Sequence, residues 1–160
     1  MKSFVVILIL AAVVGLGFKR WLDKSNPDVI AHPVYAEMHV DAKVGNRELN
    51  SVLFVKTVDQ EDCNLRAEKG WSKLLSGCPT CTVSAAKCQD DLPARYQRLF
   101  DNVAIPSTYL AMERGSRYER DGRLVVYGLT HDEGLAMCEQ IRGVVLEKYH
   151  GTGTCIAPSE

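Results

Sequence analysis

An α/β domain, a three-layer sandwich whose mixed central sheet carries helices on both faces, is the fold class this sequence predicts. Three observations predict it. β-rich runs alternate with helix-period segments in the order ββαβαββα. The run Val52-Leu53-Phe54-Val55 is apolar throughout, as a strand covered on both faces would be. Helix caps and turn residues fall between the runs. With 160 residues and 46% hydrophobic content, the chain suits one domain large enough to bury a core.

The chain opens with Lys2 and then runs apolar from Phe4 to Phe18, the pattern of an export signal or an N-terminal apolar anchor helix over residues 1–18. Fifteen helical residues reach about 22 Å, against a hydrocarbon core of ~30 Å. Lys19, Arg20 and Trp21 favour an interfacial anchor, while Gly15-Leu16-Gly17 offers small residues for cleavage, so tethered and cleaved forms stay open. Residues 19–33, with Asn26-Pro27 and His32-Pro33, read as a linker, and the domain is expected over 34–150.

Val34 to Val40 alternates weakly, like an edge strand, and Val52 to Val55 is expected to be central. From Cys63 to Leu75 the positions Ala67, Trp71, Leu74 and Leu75 have helical spacing, and Gly77 ends the run. Cys81 to Lys87 reads as a short strand. Asp90-Asp91 and Pro93 then open a second helix with Leu92, Tyr96, Leu99 and Phe100 on its apolar face. Ser107 to Glu113 and Arg123 to Tyr127 suggest an antiparallel hairpin with a long loop. Thr130 and Glu133 have capping-box spacing before Leu135, Cys138, Ile141, Val145 and Tyr149, the face of a last helix. Residues 151–160 read as a flexible tail.

Charge excludes one large class of partner. The 19 basic and 20 acidic residues form no like-charge block and no basic stripe with aromatics, which argues against nucleic acid. The six cysteines are many for a cytosolic chain and even in number, as expected in an oxidising space. The expected location is therefore periplasmic or otherwise extracytoplasmic, with residues 4–18 as the inner-membrane tether where the segment is retained. Cys78, Cys81 and Cys88 lack a fourth ligand at a standard zinc spacing, so neither metal nor cofactor is expected.

Cys63 is placed at a strand-to-helix junction, where the macrodipole and the cation of Arg66 one turn on favour thiolate, while Glu61 and Asp62 oppose it. Cys88 ends a strand expected to run parallel to the one leading to Cys63, at the same rim. It can serve as a resolving thiol or as a permanent partner across 25 residues. Cys78-Pro79-Thr80-Cys81 follows a helix instead of opening one, which suits a turn disulfide. The tail can fold back to bring Cys155 against Cys138 as a staple.

Strand, Cys63, helix, strand, helix, Ile105-Pro106, hairpin and helix, taken in order over roughly residues 34–149, resemble the thioredoxin-like superfamily. The resemblance implies Cys63 as the first motif cysteine and Pro106 as a facing cis-proline, with Ile105 and Pro106 docking a client backbone. The motif here is Cys63-Asn64-Leu65-Arg66, with Arg66 where that family has its second cysteine and Thr57 where many members have a buried acid. The expectation is thiol-disulfide exchange or client holding by mixed disulfides with client protein thiols. The alternative is a non-catalytic, disulfide-stapled module that docks a partner protein of the cell envelope.

Overall fold

The computed structural model describes residues 29–44, 46–76 and 80–159, with the side chains of Val44 and residues 69–76 left out. The expected leader 1–18, most of the linker, the Trp71, Leu74 and Leu75 face, and Gly77, Cys78 and Pro79 lie outside the described residues. No helix among the described residues is long and apolar enough to cross a membrane.

The chain forms β1 (Val34–Val44), β2 (Arg47–Thr57), α1 (Gln60–Ser76), β3 (Cys81–Gln89), α2 (Ala94–Phe100), β4 (Tyr109–Glu113), β5 (Gly122–Tyr127), α3 (His131–Leu146) and β6 (Thr152–Ile156). The six strands make one sheet in the order β3-β1-β2-β5-β4-β6, and every neighbouring pair is antiparallel.

This overturns the mixed, thioredoxin-like sheet. The physical reason lies in the first hairpin. β1 and β2 are joined through residues 45–46 and pair along all eleven residues of each, from Val34↔Thr57 to Val44↔Arg47. That hairpin occupies the edge of β2 on which a parallel neighbour would have to add, so the crossover through α1 delivers β3 to the far side of β1. β2 and β3 do run in the same direction, but with β1 between them.

Two further expectations change with it. β1 is an inner strand, not an edge. Its weak alternation comes from Glu37, His39 and Asp41, polar residues that hydrogen-bond on one face of the sheet. The tail contributes β6, paired to β4 from Tyr109↔Ile156 to Glu113↔Thr152. The approach to β6 is tight: a Cβ on Gly151 would lie 1.9 Å from the Glu113 carbonyl oxygen, and one on Gly115 would lie 2.4 Å from that of His150. Only glycine lets these two backbones touch.

Period-two alternation sorts the side chains onto two faces. Met38, Leu53, Leu124, Leu110 and Cys155 follow one another across the ladder on the face that carries α1 and α3. The other face holds Val52, Phe54, Tyr109, Ala111 and Val125, covered by Leu92, Tyr96, Leu99 and Phe100 of α2 and its approach. α3 starts with the capping box its sequence announces, Thr130 and Glu133 each bonding the other's backbone N–H. α2 stops where Asn102 takes a left-handed φ of 56°.

Arg123 is the least expected member of the interior. It is 1% exposed, yet each nitrogen of its guanidinium is engaged. Nε donates to Leu99 O at 2.7 Å, Nη1 to Gly122 O at 2.8 Å and Met112 O at 3.0 Å, and Nη2 to the Glu113 carboxylate. It also lies over the Phe100 ring, 4.8 Å from its centroid. The side chain bolts the end of α2 to β4 and β5.

Candidate functional site

Cys63 lies in the first turn of α1, which Asp59 caps by accepting the Asp62 N–H at 2.8 Å. Its side chain is 0% exposed, packed beside Val34 and Ala36, and its sulfur is bonded to Cys88 with the Cα atoms 6.1 Å apart. Shared direction of β2 and β3 brings the two cysteines to one rim, because α1 leaves β2 at Thr57 while Cys88 sits near the end of β3. Cys138 of α3 is bonded to Cys155 of β6, Cα atoms 5.9 Å apart. Cys81 is also disulfide-bonded. No cysteine is free among the described residues.

The remaining parts of the expected exchange site are elsewhere. Among the described residues no peptide bond is cis, so Ile105-Pro106 is trans, the ordinary state of an X-Pro bond outside tight turns. Pro106 lies beside Tyr127 and Gly128, at the end of β5 that pairs with Asn50 of β2. Cys63 lies beyond Thr57, at the other end of that strand. Seven residues of extended chain separate the two ends, roughly 20 Å along the sheet.

Arg66 is not directed at the Cys63 sulfur. Its Nε donates to Asp62 Oδ1 at 2.8 Å and its Nη2 to Tyr118 O at 3.0 Å. The buried Arg120 donates from Nε to Asp62 Oδ2 at 2.7 Å, and the Val58 N–H to the same oxygen at 3.1 Å. Burial alone would raise the Asp62 carboxyl. The Arg120 and Arg66 hydrogen bonds, the Arg66 charge and the Val58 amide outweigh it and hold the group below its usual range.

The sign of the pH dependence follows. A carboxyl that titrates lower in the folded chain than its unfolded value of 3.8 contributes stability that is fully present above about pH 4 and is lost as pH falls through the folded value. Asp62→Asn is expected to be less stable than the parent near pH 7, by about 1–3 kcal/mol, with the gap closing below about pH 4. Urea unfolding at several pH values checks this; a gap unchanged down to about pH 3 would refute the linkage.

The polar features that the sequence did not single out lie on the α2 face. Glu37, buried on β1, accepts from His39 Nε2 at 2.7 Å and Gln89 Nε2 at 2.7 Å and pairs with Lys87 Nζ at 3.2 Å. Burial works against the Glu37 charge, but these partners hold its carboxyl below the usual range. Both oxygens are occupied, so the group ties β1 to β3. Nearby, burial, helped by a hydrogen bond with Tyr96, pushes the Tyr127 hydroxyl up to about 12, so it stays protonated at neutral pH.

Two hollows flank α2, and their charges are opposite. One, of about 720 Å³, is rimmed by Asp90, Asp91 and Asp101 with His32 and Lys56. The other, of about 490 Å³, is lined by Arg95, Tyr96 and Arg98 of α2, Ile105, Pro106 and Ser107 of the loop, Tyr127 of β5 and Ser159 of the tail. The Ser159 N–H closes this cleft by donating to Ile105 O at 2.9 Å. Alternation on β1 already placed Glu37 and His39 on one face, and the spacing of Arg95 and Arg98 already placed them on one helix side. What no local pattern carried was the meeting of α2 with Tyr127 and the tail.

No protein-family model matches this chain, and no curated protein or solved structure matches it either.

Proposed function

We propose that this chain is a non-catalytic, disulfide-stapled binding or assembly module that works outside the cytoplasm. The observation that carries the reading is the state of Cys63, wholly buried and bonded to Cys88. Thiol-disulfide exchange needs a thiolate that can reach a client sulfur, and a sulfur closed under α1 and tied to a neighbour lacks that access. The disulfides themselves hint at an oxidising, extracytoplasmic setting. The finer placement rests on Phe4 to Phe18 acting as an export signal or inner-membrane tether, which would put the domain on the periplasmic side. Its partner is then a protein of the same envelope compartment.

Thiol labelling of the unreduced protein tests the reading. Near neutral pH, a maleimide should add to none of Cys63, Cys88, Cys138 and Cys155, and a mild reductant such as glutathione should leave that result unchanged, as read by intact mass and peptide mapping. A single adduct on Cys63, formed before the chain unfolds, would return the exchange reading in its place.

A further inference from the structure

We propose that the cleft between α2, the 104–107 loop and the end of β5 binds a small organic anion, its carboxylate or phosphate oxygens held by Arg95 and Arg98. Ile105, Pro106 and the ring of Tyr127 form the wall for its apolar body. The proposal rests on reading the domain as a binding module and names the ligand class of that module.

The two arginines stand apart from the other arginines among the described residues. Arg47, Arg66, Arg120, Arg123 and Arg142 each meet a carboxylate, and Arg114 and Arg117 are engaged as well. Arg95 and Arg98 meet no carboxylate among the described residues. They are exposed and one turn apart on a seven-residue helix. Like charges at that spacing repel and weaken a helix slightly; an anion between them turns the same spacing into a clamp. Arginine suits that task because its planar fork matches carboxylate and phosphate oxygens.

Arg95 is already partly positioned, its guanidinium 4.4 Å from the centroid of the Tyr96 ring, which lowers the entropy cost of using it. Ser107 and Ser159 line the same cleft and supply short-range donors. The volume of about 490 Å³ lies within the range of small-molecule sites, and α2, loop, strand and tail all contribute to the lining. A small molecule fits that volume better than an extended peptide does.

The experiment is a titration of the oxidised protein with benzoate, with phenyl phosphate and with inorganic phosphate, followed in ¹H–¹⁵N spectra. Benzoate or phenyl phosphate should give saturable shifts confined to residues 95–107, 127 and 159, with a Kd of about 1 mM or tighter, and the tighter of the two names the head group. The doubly substituted Arg95→Gln/Arg98→Gln chain, whose changes are both on the surface, should bind at least about tenfold more weakly. Arg142→Gln, which removes one positive charge on the other face of the sheet, should leave binding as it was.

Absence of shifts up to about 10 mM overturns the site, as do equal affinities in the parent and the doubly substituted chain. Inorganic phosphate binding as tightly as phenyl phosphate removes the apolar wall from the argument. An acidic peptide binding more tightly than either aromatic anion transfers the cleft to a protein partner and overturns the small-molecule assignment. Thiol labelling is unaffected by any of these results, so failure here and failure of the module reading are told apart.

Discussion

Replacing Cys63 and Cys88 together by alanine is expected to lower stability by about 3–4 kcal/mol, the chain-entropy value for a crosslink over a 25-residue separation. For a chain of this size that corresponds to a fall in melting temperature of roughly 10 °C. The same treatment of Cys138 and Cys155, 17 residues apart, gives about 3 kcal/mol from the loop term. Burial should widen the difference, because the Cys63 side chain is wholly enclosed among Val34, Ala36 and Val55, and truncating both partners there leaves a void. Urea unfolding of the two double variants beside the oxidised parent measures both. A loss below about 1 kcal/mol for the Cys63/Cys88 pair would mean that residues 63–88 are already restrained when unfolded, against the reasoning given.

Arg123→Met should cost about 3–5 kcal/mol even though methionine fills much of the same volume. Replacing a buried ion pair by apolar groups is often harmless when both partners go. Here most partners cannot go, since Leu99, Met112 and Gly122 present backbone carbonyls and only Glu113 presents a side chain. Loss of the guanidinium takes one donor from each of Leu99 O, Met112 O and Gly122 O and from the Glu113 carboxylate, at about 1 kcal/mol for each bond, although Leu99 O keeps the Asn102 N–H at 3.1 Å. α2 should also loosen, so that amides 96–100 exchange faster with solvent than in the parent. A variant within about 0.5 kcal/mol of the parent would show that water reaches those carbonyls and that the guanidinium is dispensable.

Local patterns in the chain were legible. The continuous apolar run at Val52 to Val55, Thr130 with Glu133, and Asp90-Asp91 before Pro93 each mark an element that the structure contains. The β4 and β5 pairing was also foreseeable, because two short β-rich runs adjacent in sequence usually pair. Strand direction was not. It depends on which edge of β2 is free when α1 returns the chain, a question decided by the β1/β2 hairpin and not by any residue near Cys63. Similarity of element order to a known superfamily supplied an answer that the pairing contradicts.

The site was harder still to foresee. Cys63 and Cys88 could be placed at one rim from strand direction, but burial decides between a reactive thiol and a closed disulfide, and burial is a property of the packed whole. Pro106 was assigned its role from the resemblance alone. Arg95 and Arg98 drew no reading from the sequence, because only the approach of Tyr127 and Ser159 turns their side of α2 into a cleft. The tail was read as flexible but able to reach Cys138, and the Cys138–Cys155 bond is there; what was not foreseen is that β4 offers it an open ladder.

The pairing of β2 with β5, from Asn50↔Tyr127 to Val55↔Gly122, divides the sheet into two units of consecutive chain. β3, β1 and β2 come from residues 34–89, and β5, β4 and β6 from residues 109–156. Cys63–Cys88 lies within the first unit and Cys138–Cys155 within the second, and neither bond crosses the boundary. Covalent reinforcement therefore lies within the halves, and their mutual attachment is non-covalent: six residue pairs, the packing of α2, the Asp62–Arg120 and Arg47–Glu133 ion pairs and the Arg66 bond to Tyr118 O. The anion cleft, built on α2 and the last residue of β5, lies beside that boundary, on the segment of chain that joins one half to the other.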